Sequence, residues 1–301
     1  MPDSPALGTP PARAALAPGA RIARRDDGHV QVGVRPGASV ILHDSPEVRR
    51  LLAGLEDSLP LELDSPAAHL AWGRLRQQGL VVDADALDAD LASAGLPRVG
   101  VAAVHARHPE EGSARLAARR TASIAVDGPP AMVAPARDLL AVAGLRQART
   151  TRRGPGRTVT AHLILHDTET PRTSADAAMR AAIPHLFVCS VEGRVRVGPF
   201  VVPGRTACLR CIDAHLAEGD PRRPLLVEQY ARPASTPEPL DALALATAVA
   251  LAVGDLVRFV EGDRPLTWSA TLELPAREGI QAHPWRRHPR CGCTWAGLVI
   301  A

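Results

Sequence analysis

Between His29 and Val34 apolar and polar residues alternate, His-Val-Gln-Val-Gly-Val, the spacing of a strand with one buried face. Asp26-Asp27-Gly28 before it is a hairpin signal that pairs it with the stretch from Arg21, and Arg35-Pro-Gly37 turns the chain into a third strand over residues 38–42. The period then changes. Ser45 caps and Pro46 opens a helix that carries Val48, Leu51, Leu52 and Leu55 on one face. Residues 59–63 make a short turn or helix, and Asp64 or Ser65, followed by Pro66, starts another helix whose apolar positions are Leu70, Trp72, Leu75 and Leu80. Three strands followed by two or three helices predict a winged-helix-like unit over residues 20–83. Residues 84–97, rich in Ala and Asp, predict a linking helix. The Ala- and Pro-rich residues 1–19 predict a disordered tail, since they lack the basic start and apolar run of a signal peptide.

From Arg98 strands alternate with helices, the grammar of an α/β domain with a largely parallel sheet. Strands are expected over residues 99–104, 123–126, 158–165, 185–189, 194–202 and 266–274. Helices are expected over 110–119, 131–143, 174–182, 212–218 and 240–260. Thr151-Arg-Arg-Gly-Pro-Gly156 reads as a surface turn. The second domain therefore spans residues 98–301.

Composition narrows the function. The chain is 46% hydrophobic but only 3% aromatic, so its core must rest on Ala, Leu and Val. Its formal net charge is +3, with Arg spread along the chain and no basic stripe of the kind a nucleic-acid groove shows. There is no Lys and no Asn, so no mechanism that needs either side chain operates here. The longest apolar stretch, residues 242–254, falls short of the roughly 20 residues a bilayer crossing needs. It reads as a buried helix, and the protein is expected to be cytoplasmic.

Four of the five cysteines form two close pairs, Cys208-Leu-Arg-Cys211 and Cys291-Gly-Cys293. Short pairs on tight turns deliver thiolates two at a time to a tetrahedral ion, and four thiolates close its coordination sphere, so a structural zinc ion is expected on Cys208, Cys211, Cys291 and Cys293. A Cys-x-x-Cys alone is shared with redox motifs; the second pair favours metal. Cys189, ending an apolar strand, reads as core, and His283 and His288 as surface imidazoles.

The stretch Ser123-Ile-Ala-Val126 runs through Asp127-Gly-Pro-Pro-Ala131 into a helix. A strand-loop-helix unit would carry a glycine-rich phosphate cradle at this point. Here Gly128 stands alone, and Pro129 and Pro130 have no N–H to donate.

From about Ser123 onward the order of features resembles ThiF-like proteins, the bacterial relatives of ubiquitin-activating enzymes. Gly198-Pro-Phe200, Gly204-Arg-Thr-Ala-Cys-Leu-Arg-Cys211 and His288-Pro-Arg-Cys-Gly-Cys293 are similar to the branch found in thiazole/oxazole-modified microcin biosynthesis, whose members begin with a small winged-helix unit, the RiPP recognition element. The resemblance implies a degenerate ThiF-like Rossmann-type domain behind that element. The implied function is a non-catalytic leader-peptide-binding scaffold, acting with a YcaO-type cyclodehydratase partner and forming a homodimer. The leader would add as a strand beside residues 38–42, with Val40 and Leu42 on one side and Arg74 and Arg76 on the helix opposite. The adenylating ThiF pattern also requires an Asn and a Lys that this chain does not have, and the Arg146-Gln147 pair stands without the expected context, so ATP binding is not expected. Two other classes remain, a ThiF-type ATP-dependent carboxylate-activating enzyme and a winged-helix DNA-binding regulator. The sparse phosphate loop argues against the first, and the few basic residues on the candidate recognition helix against the second.

Overall fold

The computed structural model describes residues 9–93, 95–148, 159–233, 235–236, 238–274 and 279–293; the turn expected over residues 151–156 lies outside them. The chain divides into two compact units, Met1–Ala117 and Ala118–Ala301.

In the first unit β2 (Ile22–Arg24), β3 (His29–Arg35) and β4 (Ala38–His43) form an antiparallel sheet in the order β2-β3-β4, as the alternation predicts. Val30 and Val32 of β3 and Val40 and Leu42 of β4 face inward. Their cover is α1 (Pro46–Glu56) and α2 (Pro66–Gln77). Each helix begins at a serine, Ser45 or Ser65, whose side chain accepts from a backbone N–H three residues on, with proline next in sequence. Val48, Leu51, Leu52 and Leu55 of α1 and Ala68, Ala71, Trp72 and Leu75 of α2 complete this core.

Three segments depart from expectation. In the stretch read as a tail, Ala14–Leu16 forms β1, which pairs antiparallel with β5 (Val81–Asp83) and buries Ala14 completely. Small alanines, which look featureless in a sequence, are what such a close approach requires. The expected linking helix is α3, limited to Ala84–Ala92. The strand expected over residues 99–104 is instead a helix, α4 (Arg98–Arg107). Its buried residues are Val101, Val104 and His105, at helical spacing, while Val99 points to solvent. Helix α5 follows over Gly112–Thr121.

The second unit is built on a mixed seven-stranded sheet in the order β12-β11-β10-β9-β8-β6-β7. Strands β6 (Ser123–Asp127), β7 (Arg146–Gln147), β8 (Ala161–His166) and β9 (His185–Val191) are parallel neighbours. Strands β10 (Arg194–Val201), β11 (Ala270–Leu274) and β12 (Gln281–Pro284) continue it antiparallel. One face is covered by α6 (Pro130–Val142) and α10 (Ala242–Val260), which join the largest apolar core. The other face carries α7 (Arg172–Arg180) and α8 (Leu209–Gly219), with α9 (Arg223–Tyr230) against α8. At 19 residues, α10 is long and apolar enough to cross a membrane, longer than the stretch the sequence suggested. Its Leu245, Ala248, Val249, Ala252, Val253 and Leu256 instead pack into the core.

Two buried polar devices fix this face. Asp255 of α10 accepts from the backbone N–H groups of Leu266 and Thr267 and from the Thr267 hydroxyl, at 2.7, 2.8 and 2.6 Å. Thr267 in turn lies against Gly198, where a Cβ would strike the carbonyl of Ala270 and the Thr267 side chain; with φ at +100° this position requires glycine. Arg119 ties α10 to α6: its Nε donates to Glu261 at 2.6 Å and its Nη1 to the Ala143 carbonyl at 3.1 Å.

Replacing Asp255 by Ala leaves those donors unpaired in the core, and urea unfolding is expected to show a loss of about 2–4 kcal/mol. A pH effect is expected from His185, which is fully buried on β9. Burial pushes its imidazole down to about 4, against the bond from Nδ1–H to the Ile183 carbonyl. The unfolded chain takes up this proton near pH 6.5 and the folded chain only near 4, so stability falls as pH drops between those values. The expected loss is on the order of 2 kcal/mol from pH 7 to pH 5. Urea midpoints at the two pH values should differ less in His185→Phe than in the unaltered chain.

Candidate functional site

The four paired cysteines meet. Cys208 is the N-cap of α8 and Cys211 lies in its first turn, where the backbone N–H of Cys211 bonds the Cys208 carbonyl at 3.0 Å. Cys291 is held by a turn from the His288 carbonyl, and Gly292, at φ +74°, bends the chain so that Cys293 returns to the same point. The Cys208 and Cys211 sulfurs are 3.8 Å apart, Cys208 and Cys291 3.6 Å, and Cys211 and Cys293 3.5 Å, and all four lie within 4.8 Å of one another. A tetrahedral ion with metal–sulfur bonds of about 2.3 Å sets its sulfurs about 3.8 Å apart, so the residues fit such an ion with little adjustment. Hydrogen bonds from Cys208 and Cys291 hold the Cys211 thiol below the usual range. Cys208 is pushed up by its bonds to Cys211 and Cys291, and burial raises Cys293 to about 12. Cys189 stands apart, buried in β9, with its thiol raised by burial.

Around the cysteines the C-terminal segment is locked to α8. His288 is buried rather than on the surface, where the sequence suggested it would be. It accepts from the Arg290 N–H at Nδ1 (3.1 Å) and sits 3.0 Å from Glu218 through Nε2. Arg290 donates to the same carboxylate at 3.2 Å, and His215 of α8 reaches the Arg286 carbonyl at 2.9 Å. His283 is exposed on β12.

The position of α8 is set by buried charge. Arg172, at the start of α7, grips Asp213 of α8 with Nε and Nη2 at 2.6 and 2.7 Å, while Asp176, one turn along α7, receives Arg210 of α8 at 2.9 and 2.6 Å. The two helices thus exchange charges in opposite senses. Glu169 bridges Arg172 and Arg196 of β10 at 3.0 and 3.2 Å, and Arg196 continues to Glu273 at 3.3 Å. Burial pushes the Glu169 carboxyl up, but the two guanidinium groups outweigh it and hold it below the usual range. Sequence reasoning missed this network; the one local signal was the Arg-x3-Asp of α7 facing the Arg-x2-Asp of α8.

The loop after β6 is closed by packing. A Cβ on Gly128, whose φ is +151°, would lie 2.6 Å from both the Cβ and the carbonyl oxygen of Leu165. The glycine therefore serves the contact between strands. Pro129 is the N-cap of α6, without a side-chain cap bond, and Pro130 opens the helix. A cavity of ≈ 520 Å³ beside this loop is lined by Asp127, His162, His166 and small residues of α7, with no Lys or Arg among its lining residues. Burial holds His162 and His166 below the usual imidazole range. Among the described residues, a polyphosphate would find no cation here.

In the first unit, Val40 and Leu42 lie in the core, each 3% exposed. Arg74 is exposed on the last turn of α2, and Arg76 donates to Glu110 at 2.9 Å. Among the described residues, strand β4 has one neighbour and one open edge.

No protein-family model matches this chain, and no curated protein matches it. Its fold is similar to solved structures at low identity. The heterocyclase TruD superposes with a TM-score of 0.69 at 17% identity, over 94% of this chain and 43% of that one. A heterocyclase in complex with substrate and cofactor gives 0.68 at 15%, over 94% and 39%. E. coli MccB gives 0.62 at 12% over 94% and 96%, and has also been solved with ATP and with MccA. The chain thus spans about two fifths of the heterocyclases it resembles and nearly all of MccB. The likeness is one of fold.

The cysteine cluster is expected to bind one divalent ion per chain. Cobalt(II) titration should saturate at that ratio with the absorption of a four-thiolate site, and Cys293→Ser should weaken binding by more than about tenfold. Saturation well away from one ion per chain would argue against a single closed site.

Proposed function

We propose that this protein is a non-catalytic recognition scaffold for the modification of a ribosomally made peptide. In this reading the first unit is a winged-helix RiPP recognition element that captures the leader of a precursor. The second is a ThiF-like domain that has lost its nucleotide chemistry, and a YcaO-type partner performs the ATP-dependent formation of thiazole or oxazole rings. The protein works in the cytoplasm as a homodimer, with zinc held by Cys208, Cys211, Cys291 and Cys293 as a structural ion. Four thiolates leave no open coordination position, so the ion orders the C-terminal segment and takes no part in a reaction.

The observation that carries this reading is the loop after β6. MccB, which shares the fold, is known with ATP bound. In this chain the first strand-loop-helix unit of the sheet has Gly128 packed against Leu165, two prolines without N–H donors, and a neighbouring cavity lined, among the described residues, by a carboxylate and no Lys or Arg. The likeness to heterocyclases and to a protein solved with the peptide MccA supports a peptide as the partner.

The open edge of β4 supports the mode of capture. A peptide that adds there gains backbone hydrogen bonds along the strand, and neighbouring pockets select its side chains. Val40 and Leu42 act from the core side by fixing which face of the strand is buried, since a one-residue slip would turn both outward. The exposed Arg74 is placed to meet an acidic leader residue, whereas Arg76 is already engaged by Glu110.

Two measurements test the proposal. ATP–pyrophosphate exchange should stay at background with any carboxylate substrate; sustained exchange would establish the carboxylate-activating alternative. A labelled leader peptide from a neighbouring precursor gene should bind the full chain in fluorescence polarisation. Affinity that survives removal of residues 1–83 would remove the first unit from the capture role.

A further inference from the structure

Among the described residues, the second unit has two cavities that meet at a cation without a partner. The first, ≈ 250 Å³, opens near the carboxyl ends of β8 and β9, beside Glu169, Glu192 and Tyr230. Crevices at the carboxyl ends of parallel strands are where open α/β sheets take ligands. The second, ≈ 410 Å³, is walled by Leu209, Ile212 and Leu216 of α8 and by Trp285. Arg196, Arg223 and Glu273 line both.

Charge accounting singles out Arg223. Arg172 and Arg196 are held by Asp213, Glu169 and Glu273, and Arg194 lies 3.9 Å from Glu273. Among the carboxylates, Glu169, Asp213 and Glu273 are thereby engaged. Glu192 accepts from the Tyr230 hydroxyl at 3.3 Å, and Asp220 accepts from the backbone N–H of Arg222 at 3.0 Å. The Arg223 side chain has no hydrogen bond or ion pair among the described residues, and its Nε is shielded from solvent without an acceptor. A shielded donor left unpaired is costly, and a fixed guanidinium fork matches a carboxylate.

We propose that Arg223 anchors a carboxylate-binding subsite at the joint of the two cavities, with the bearer of the carboxylate a peptide segment. The ligand's apolar flanks lie against Leu226 and Val227 on one side and Leu216 on the other. Two connected cavities of this size suit several consecutive side chains better than a lone small acid. Phosphate fits less well, because Glu169, Glu192 and Glu273 line the same cavity and would repel a second negative charge. The subsite is in the second unit and does not depend on leader capture by the first.

The test uses three short peptides of one apolar sequence and isothermal titration against the full chain. One is capped at both ends and carries a central Glu. The second carries Gln there but has a free C-terminus, and the third carries Gln and both caps. At least one carboxylate-bearing peptide should bind about tenfold more tightly than the fully capped Gln peptide, with the advantage shrinking as salt rises. Which of the two gains identifies the source as a side chain or a chain end. Arg223→Gln should abolish the advantage without changing the unfolding midpoint, and Arg223→Lys should keep part of it. In the unaltered protein, the Arg223 Nε–H resonance should shift with the preferred peptide and stay still with the fully capped Gln peptide. Equal affinity for all three peptides, an advantage that persists in Arg223→Gln, or an unmoved resonance would each overturn the assignment.

Discussion

The second unit depends on the buried guanidinium of Arg172. It joins the segment after β8, through Glu169, to α8, through Asp213, and so fixes the helix that presents Cys208 and Cys211. A buried charge is tolerated only when its partners are well placed, and the burial that disfavours the Arg172 charge is outweighed by two carboxylates. The arrangement is costly to break at either partner, because each loss strands the opposite charge in a poor dielectric. With α8 so fixed, the sheet beneath it, the cysteine cluster at its start and the cavities under it have little freedom to rearrange independently.

The features legible in the sequence were those whose cause is local. Ser45-Pro46 and Ser65-Pro66 each state a cap and a first turn, and β3 states its buried face by alternation. The cysteine pairs declare themselves because two donors must lie a few residues apart to share an ion. Illegible features had distant or weak causes. Arg172 and Asp213 are 41 positions apart, and nothing near either one says that they meet. Strand β12 is exposed at every residue and α9 buries only Val227, so neither carries a strong hydrophobic period. The valines at 99, 101 and 104 fit a strand as well as a helix until burial decides between them. Alanines 14 and 15 gave no pattern at all.

Gly128 shows why a motif residue needs its surroundings before it is given a role. Glycine at this point of a strand-loop-helix unit suggests a ligand's approach, yet here a neighbouring strand occupies the space a side chain would need. Gly198 has the same explanation, with Thr267 and Ala270 against it. Both belong to the architecture of the sheet, and the chemistry has to be sought where donors are unpaired.

The cysteine cluster joins positions that lie 82 residues apart, Cys211 to Cys293. With an ion in place, α9, α10, β11 and β12 all lie inside a closed ring. The outermost strand β12, exposed and with one neighbour among the described residues, would otherwise be the natural place for the sheet to unzip. Ring closure removes that route: the strand can detach only after a metal–sulfur bond opens, and the unfolded chain is denied part of its conformational freedom. Resistance to proteolysis along this edge therefore becomes a property of metal supply rather than of strand pairing.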